Sequence, residues 1–278
     1  MHYAPLRADR LRPLCEAPVR SMARLRGLLT DIDDTLTRDG AIEPEALDAL
    51  AALAAQQVPV LAVTGRPAGW SEPFALQWPV AAIVAENGAV MLRRRGTGLQ
   101  RDFVVDAATR ENNFRRLADC AAAVLAEVPG TSLARDSAGR LTDMAIDHSE
   151  FAQLDDERIA QVLAVMRRHG LTATVSSIHV NGWIGEHSKW TGARWAVEQA
   201  LGAAFDADEW LYVGDSTNDQ LMFEHLPLSV GVANIARFVP QLSVLPAYVT
   251  RGERGRGFAE VARALLQARN ASGAEAEK

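Results

Sequence analysis

The 278-residue chain has few of the features that mark secreted or membrane proteins. Its only cysteines, Cys15 and Cys120, are too few for a disulfide framework and are not spaced as metal ligands, so we expect both to be reduced. No apolar run approaches the roughly 20 residues that span a bilayer, and the first residues lack the continuous apolar segment of a secretory signal. The sequence therefore predicts a cytoplasmic protein with no membrane partner.

Positive charge is also in deficit. The 29 Lys and Arg residues are outnumbered by 35 Asp and Glu residues, which gives a net charge of −6 at pH 7. Net negative charge opposes non-specific binding to nucleic acid and to anionic lipid, so we expect no nucleic-acid partner. A local cationic site can still bind a small anion. The oligomeric state has no signal in the sequence.

Two stretches, residues 27–89 and 188–268, alternate short apolar runs with helical patterns. A continuous apolar run such as residues 58–63 is typical of a parallel strand that is covered on both faces. The alternation of such runs with amphipathic helices predicts an α/β fold, with a doubly wound (Rossmann-like), mostly parallel sheet as its core.

The rest of the chain has a different character. Residues 90–187 combine two-residue alternation with two amphipathic helical patterns, which predicts an α+β domain inserted into the core. Residues 1–26 carry six arginines and three prolines, a mixture that predicts an irregular extension. Residues 269–278 are polar and small, which predicts a flexible tail.

A pair of carboxylates follows the first predicted strand. Asp31 and Asp33 are two residues apart, so in an extended segment they project on one side, at the strand end where open α/β sheets bind ligands. Two close carboxylates resist joint ionisation, which leaves a bound cation, a shared proton or solvent exposure. A solvated acidic turn is the alternative. An EF-hand loop is disfavoured, because Leu36 replaces its glycine and Ile42 its final glutamate.

A second acidic cluster follows another apolar run. Asp215 and Asp219 share a face if a helix opens here, and Asn218 adds a neutral oxygen. Alone, such a segment is most often a turn with a helix cap. If it lies at the same sheet edge as Asp31, the carboxylates are strongly destabilising without a divalent cation. Hard oxygen ligands suit Mg²⁺, so we expect a magnesium site.

Two further elements are suited to an anion. The segment Thr64-Gly65-Arg66-Pro67 follows a predicted strand and offers a hydroxyl and backbone N–H groups at a helix start, which suits a phosphate. Lys189, at the start of another predicted helix, supplies a cation. A plain strand-to-helix turn and a solvated lysine are the respective alternatives.

Taken in order, these segments resemble the four motifs of the haloacid-dehalogenase-like hydrolase superfamily. The motifs are Asp31-x-Asp33-x-Thr35-Leu36, Thr64-Gly65-Arg66, Lys189 and Gly214-Asp215-x-x-Asn218-Asp219. The resemblance is closest to subfamily IIB, in which an α+β cap lies between the second and third motifs, as residues 90–187 do here. That subfamily includes sucrose-phosphate phosphatase and mannosyl-phosphoglycerate phosphatase. The resemblance therefore implies a magnesium-dependent phosphomonoester hydrolase that acts on a sugar phosphate or another small phosphorylated metabolite.

The resemblance also implies a role for each catalytic residue. Asp31 would attack phosphorus to form an aspartyl-phosphate, and Asp33 would act first as general acid and then as general base. Thr64 and Lys189 would bind the non-bridging phosphoryl oxygens.

The metal ligands are implied in the same way. Mg²⁺ would be held by Asp31, the backbone carbonyl of Asp33 and Asp215. Asn218 and Asp219 would not bind the metal directly but would orient the residues that do. Family members often have glycine at the position of Asp34, whose side chain we expect to point away from Asp31 and to affect the chemistry little.

Substrate selection depends on less specific signals. Arg66 is a candidate for an anionic substrate group, and His179 and Asn181 share one side of a predicted strand from which they would reach substrate hydroxyls. A satisfied surface histidine and a turn asparagine are the alternatives.

Two rival functions remain open at this point. A phosphohexomutase of the same superfamily would use the same aspartates but return the phosphoryl group to a sugar. A non-catalytic sensor of a phosphorylated ligand is disfavoured, because the set of nucleophile, acid, threonine and lysine is intact.

Overall fold

The computed structural model describes residues 11–276, which form a mixed α/β fold. The strands are β1 (Arg12–Pro13), β2 (Gly27–Thr30), β3 (Thr37–Arg38), β4 (Ala41–Ile42), β5 (Val60–Val63), β6 (Ala82–Ala85), β7 (Val90–Arg95), β8 (Gly98–Phe103), β9 (Asp143–Asp147), β10 (Thr172–Val175), β11 (His179–Trp183), β12 (Trp210–Gly214), β13 (Leu228–Gly231) and β14 (Tyr248–Val249). The helices are α1 (Val19–Arg24), α2 (Pro44–Ala55), α3 (Ala68–Gln77), α4 (Ala107–Glu127), α5 (Asp156–Arg168), α6 (Lys189–Leu201), α7 (Gln220–His225) and α8 (Arg254–Ala276). None of the helices in this range combines the length and the apolar character that a membrane span requires.

The chain divides into two compact units. The first comprises the residues up to Val63, Gln77–Ala82 and the residues from Ala193, and the second comprises Thr64–Leu76 and Ile83–Gly192. The second unit is larger than the predicted insert at 90–187. One reason is that the backbone N–H of Thr64 donates to the carbonyl of Val84 at 2.8 Å, which ties the loop after β5 to β6.

A parallel sheet organises the first unit. Its strands lie in the order β1, β14, β13, β12, β2, β5, and every neighbouring pair is parallel. The predicted α/β fold with a mostly parallel sheet is thereby confirmed. The central strands β2 and β12 are buried along their whole length, which is why their sequences are continuous apolar runs. Val213 of β12 lies opposite Thr30 of β2, so the segments that follow these strands start side by side.

The amino-terminal segment is more regular than predicted. β1 pairs in parallel with β14, and α1 packs against α8. Met22 and Leu25 are buried, so apolar burial outweighs the unfavourable local pattern of arginine and proline. The prediction of an irregular extension over residues 1–26 is wrong from residue 12 onward, and its first ten residues lie outside the described range.

The carboxyl-terminal helix is also longer than predicted. α8 continues to Ala276, so the predicted flexible tail does not begin at residue 269. Leu265 and Ala268 are buried, and this apolar face carries the helix into the polar sequence that follows. The last two residues of the predicted tail lie outside the described range.

The second unit combines antiparallel strands and helices. β6, β7 and β8 form an antiparallel meander, and β10, β11 and β9 form a separate antiparallel sheet. A core joins this second sheet to α4 and α5 through Leu117, Cys120, Val124, Ile146, Val162, Met166 and Val180. β10 and β11 form a hairpin, and Ser176 Oγ closes its turn by accepting the backbone N–H of His179 at 3.0 Å.

Candidate active site

Three buried carboxylates meet at the carboxyl edge of the parallel sheet. Asp31 follows β2, whereas Asp215 and Asp219 follow β12, and one carboxylate oxygen of each lies within 4.8 Å of the others. Their side chains are almost completely buried, with exposures of 4%, 0% and 0%. The N–H of Asp31 donates to the carbonyl of Val213 at 2.8 Å, which extends the strand pairing to the first carboxylate. The acidic cluster of Asp31, Asp215 and Asp219 is thus a product of strand register.

The acidic cluster concentrates negative charge in the protein interior. Asp215 Oδ1 is buried and has no hydrogen-bond partner within residues 11–276. Burial, and after it the charges of Asp219 and Asp31, raise the pKa of Asp215 well above its ordinary value. Desolvated like charges at this separation are unfavourable unless a cation lies among them. Carboxylate oxygens are hard ligands, so these residues fit Mg²⁺.

Both carboxylate oxygens of Asp219 accept hydrogen bonds from the protein. Its Oδ1 accepts from the hydroxyl of Tyr212 at 2.5 Å, and its Oδ2 accepts from the backbone N–H groups of Asp215 at 2.9 Å and Ser216 at 3.1 Å. Asn218 Oδ1 accepts from Ser216 Oγ at 2.8 Å. These bonds use the oxygens of Asp219 and Asn218 to shape the loop. The geometry therefore favours Asp215 over Asp219 as a direct metal ligand.

The chain turns directly after the nucleophile candidate. Asp33 is half-buried, and Asp34 has φ = 54°, in the left-handed region that favours glycine. Asp34 is held there by two guanidinium groups: Arg237 Nη2 at 2.6 Å and Arg254 Nε at 2.7 Å from its carboxylate oxygens. Burial opposes ionisation of Asp34, but the hydrogen bonds and charges of both arginines outweigh it and lower its pKa.

Sequence reasoning missed three residues beside the acidic cluster. Asn234 Nδ2 donates to the backbone carbonyl of Asp34 at 3.0 Å and to Asp215 Oδ2 at 3.1 Å, and Arg237 Nη2 lies 3.4 Å from the same Asp215 oxygen. Arg254 reaches Asp34 from the first position of α8. The one available signal was position, because Asn234 and Arg237 follow β13, the parallel neighbour of β12.

Thr64 and Lys189 lie in the second unit. Thr64 Oγ1 accepts the backbone N–H of Arg66 at 3.0 Å, so the hydroxyl shapes its own loop. Lys189 is the first residue of α6, where a helix start was predicted. Its exposure is only 3%, which excludes the alternative of a solvated lysine.

Arg66 and His179 share a partly buried carboxylate partner, Glu150. Arg66 binds Glu150 at 2.8 Å and Asp136 at 3.1 Å, and His179 Nε2 lies 2.9 Å from the other oxygen of Glu150. Burial opposes ionisation of Glu150, but the hydrogen bonds from His179 and Arg66 outweigh it and lower its pKa to about 2. His179 is buried, so the alternative of a surface histidine is wrong. Arg66 and His179, which were expected to bind substrate directly, instead bind carboxylates of the protein.

Asn181 is the predicted substrate-binding residue with an oxygen still to be satisfied. It lies within β11, not in a turn, and is 1% exposed. Its Oδ1 is buried without a hydrogen-bond partner in the described part of the chain. A Cβ placed on Gly65 would lie 3.1 Å from Asn181 Nδ2, so this amide stands against the loop of the second motif.

A pH-dependent stability is expected from Asp143, which accepts from Arg140 Nη1 at 2.8 Å and from Asn87 Nδ2 at 3.2 Å. Burial raises the pKa of Asp143 to about 7 although Arg140 opposes the shift. Because the folded-state pKa is the higher one, the bound proton stabilises the fold fully below about pH 4, and this contribution is lost as the pH rises through 7.

Thermal unfolding of the Asp143→Asn variant checks this expectation. The Tm of the wild type should fall relative to that of the variant between pH 5 and pH 8, because the variant has no carboxyl to titrate. Parallel pH profiles of the two proteins would contradict it.

Comparison with known proteins agrees with the fold and with the position of the first motif. Residues 28–110 match a family model described as haloacid dehalogenase-like hydrolase. No curated protein matches the chain.

Solved structures match almost the whole chain. A Thermoplasma acidophilum protein has 18% identity and a TM-score of 0.65, with 87% of this chain and 98% of that one covered. The C-terminal domain of Candida albicans trehalose-6-phosphate phosphatase has 15% identity and a TM-score of 0.65, with coverages of 92% and 99%. Synechocystis sucrose-phosphatase, solved with sucrose and phosphate, has 17% identity and a TM-score of 0.63, with coverages of 87% and 98%.

The parallel sheet and these matches define a Rossmann-like fold. Residues 28–110, which contain the first two predicted motifs, are similar to the haloacid dehalogenase-like hydrolases. The sucrose-phosphatase and the trehalose-6-phosphate phosphatase domain share this fold.

Proposed function

We propose that the chain is a magnesium-dependent phosphatase that hydrolyses a phosphomonoester through an aspartyl-phosphate on Asp31. The observation that carries this proposal is the acidic cluster, in which one carboxylate oxygen of each residue lies within 4.8 Å of the others and the buried Oδ1 of Asp215 has no hydrogen-bond partner among residues 11–276. Sucrose-phosphatase and trehalose-6-phosphate phosphatase share the fold, which supports a sugar phosphate or a related small metabolite as the substrate.

The reaction has two displacements at phosphorus. A carboxylate oxygen of Asp31 attacks phosphorus, the bond from phosphorus to the leaving oxygen breaks, and Asp33 gives that oxygen a proton. Asp33 then takes a proton from water, whose oxygen attacks the aspartyl-phosphate. This step restores the Asp31 carboxylate and releases inorganic phosphate.

The first unit supplies the metal ligands in this proposal. Asp31, the backbone carbonyl of Asp33 and Asp215 would hold Mg²⁺, which offsets the charge of phosphoryl and carboxylate oxygens when it is bound. Asp219 and Asn218 keep the loop of Asp215 in place through the hydrogen bonds described above.

The second unit supplies the remaining groups. Thr64 and Lys189 would bind the non-bridging phosphoryl oxygens, and the ammonium group would stabilise their charge in the transition state. Arg66 and His179 would act on the substrate through Glu150, which both of them bind. Asn181 is the candidate for direct contact with a substrate hydroxyl, because its buried oxygen needs a donor.

Incubation with an aryl phosphate, with and without Mg²⁺, tests the proposal. Prompt, metal-dependent release of inorganic phosphate is expected, and a panel of sugar phosphates and glycosyl-phosphoglycerates would then identify the preferred substrate. Interconversion of sugar phosphate isomers without phosphate release would indicate a phosphohexomutase. Absence of turnover on any phosphate ester would indicate a sensor of a phosphorylated ligand.

Magnesium is also expected to stabilise the fold. A ligand present at about 100 times its Kd contributes about 2.7 kcal/mol, which corresponds to a Tm increase of several degrees in a chain of this size. Calorimetry in EDTA and in Mg²⁺ measures the increase, which should be lost in the Asp215→Asn variant. A Tm that does not respond to Mg²⁺ would count against the metal site.

A further inference from the structure

An ionic network surrounds Asp34. Asp34 is a strained position for a non-glycine residue, since its φ is 54°. Its carboxylate nevertheless binds Arg237 and Arg254, at 2.6 Å and 2.7 Å. Two ion pairs on an aspartate with left-handed backbone conformation indicate that the Asp34 carboxylate has a specific role at this position.

The guanidinium of Arg237 lies between two competing carboxylates. Its Nη2 is 2.6 Å from Asp34 Oδ2 and 3.4 Å from Asp215 Oδ2. Arginine binds a carboxylate best through two parallel hydrogen bonds, a geometry that takes up both carboxylate oxygens. Asp34 therefore keeps Arg237 from engaging Asp215 in this way.

Asn234 links Asp34 to Asp215 and so holds the two residues at a fixed separation. Its amide nitrogen donates both to the backbone carbonyl of Asp34 and to Asp215 Oδ2, and its Oδ1 accepts the backbone N–H of Arg254 at 2.9 Å. Asn234 and Arg237 both approach Asp215 at Oδ2. The opposite oxygen, Oδ1, is the one without a partner in residues 11–276.

We propose that Asp34 is a positioning residue that draws the guanidinium of Arg237 off Asp215, so that Asp215 Oδ1 stays available to Mg²⁺. This inference rests on the proposed function, because it takes Asp215 as a metal ligand. In the absence of Asp34, Arg237 swings onto both oxygens of Asp215 and competes with the metal ion. Removal of Asp34 then weakens Mg²⁺ binding through Arg237 and not through a change in the conformation of the loop.

Titration calorimetry with Mg²⁺ alone, without substrate, tests the inference on four proteins and one control. Asp34→Gly keeps the backbone conformation, since glycine adopts φ = 54° without strain. It should weaken Mg²⁺ binding about tenfold, as is typical for residues behind metal ligands. Arg237→Gln should bind at least as tightly as the wild type. The double variant should recover wild-type affinity to within about threefold, because the competing cation is gone.

The control variant is Arg256→Gln, which removes an exposed arginine paired with Glu45 at 3.1 Å and should leave Mg²⁺ binding unchanged. Wild-type affinity in Asp34→Gly would overturn the inference, and so would a double variant that binds as weakly as Asp34→Gly. In both cases wild-type Mg²⁺ binding, and with it the proposed function, would stand. A wild type that does not bind Mg²⁺ would sink both.

Discussion

The Asp31→Asn variant is expected to lose phosphate release by roughly 10⁴-fold or more, because an amide oxygen cannot form the aspartyl-phosphate. The same change should raise the Tm measured in EDTA. It removes one of three buried carboxylates whose oxygens lie within 4.8 Å of one another, and so relieves their repulsion. The Asp31→Asn substitution is therefore expected to lower activity and to raise stability.

Assays of phosphate release and calorimetry in EDTA measure the two responses. The matched control is Asp48→Asn, which changes an exposed aspartate on α2 and should alter neither. Retention of activity in Asp31→Asn would refute the assignment of the nucleophile. Loss of activity together with a lower Tm would instead indicate that the variant is misfolded.

The Asp33→Asn variant is expected to slow turnover by about 10²–10⁴-fold, the usual contribution of a general acid and base. The loss should depend on the leaving group. An aryl phosphate with an acidic phenol needs little protonation, so its first displacement stays fast while hydrolysis of the aspartyl-phosphate becomes slow. An alkyl phosphate needs the acid in the first displacement as well.

Rapid-mixing kinetics distinguish the two steps. With the aryl phosphate, the Asp33→Asn variant should release a burst of phenol equal to the enzyme concentration, followed by a slow steady state. With the alkyl phosphate no burst is expected. Equal slowing of both substrates without a burst would show that Asp33 does not act in hydrolysis of the phosphoenzyme.

The acidic cluster could be predicted from the sequence because neighbouring parallel strands bring the residues that follow them together. Asp31 and Asp215 each follow a continuous apolar run, and the carboxyl ends of neighbouring parallel strands lie at one edge. The start of α6 at Lys189 could also be predicted, because the helix has its own local sequence pattern. These features depend on short-range periodicity, which a sequence displays directly.

The contacts around the acidic cluster depend on longer-range information. Asp34 meets Arg237 and Arg254 across about 200 residues of sequence, and no local pattern pairs an aspartate with one arginine rather than another. Glu150, which takes up Arg66 and His179, likewise lies outside any helix or strand. Long-range ion pairs of this kind follow from the tertiary fold and cannot be read from periodicity.

The hydrogen bonds to Asp219 have a consequence for the response to an ion. Tyr212 and the two backbone N–H groups that follow β12 hold the Asp219 carboxylate in one orientation. A Cβ on Gly214 would lie 2.5 Å from Asp219 Oδ2, so the packing allows this loop little room to adjust. The fold holds this loop in place, so a cation bound at Asp215 would require little rearrangement of the loop, which lowers the conformational cost of binding.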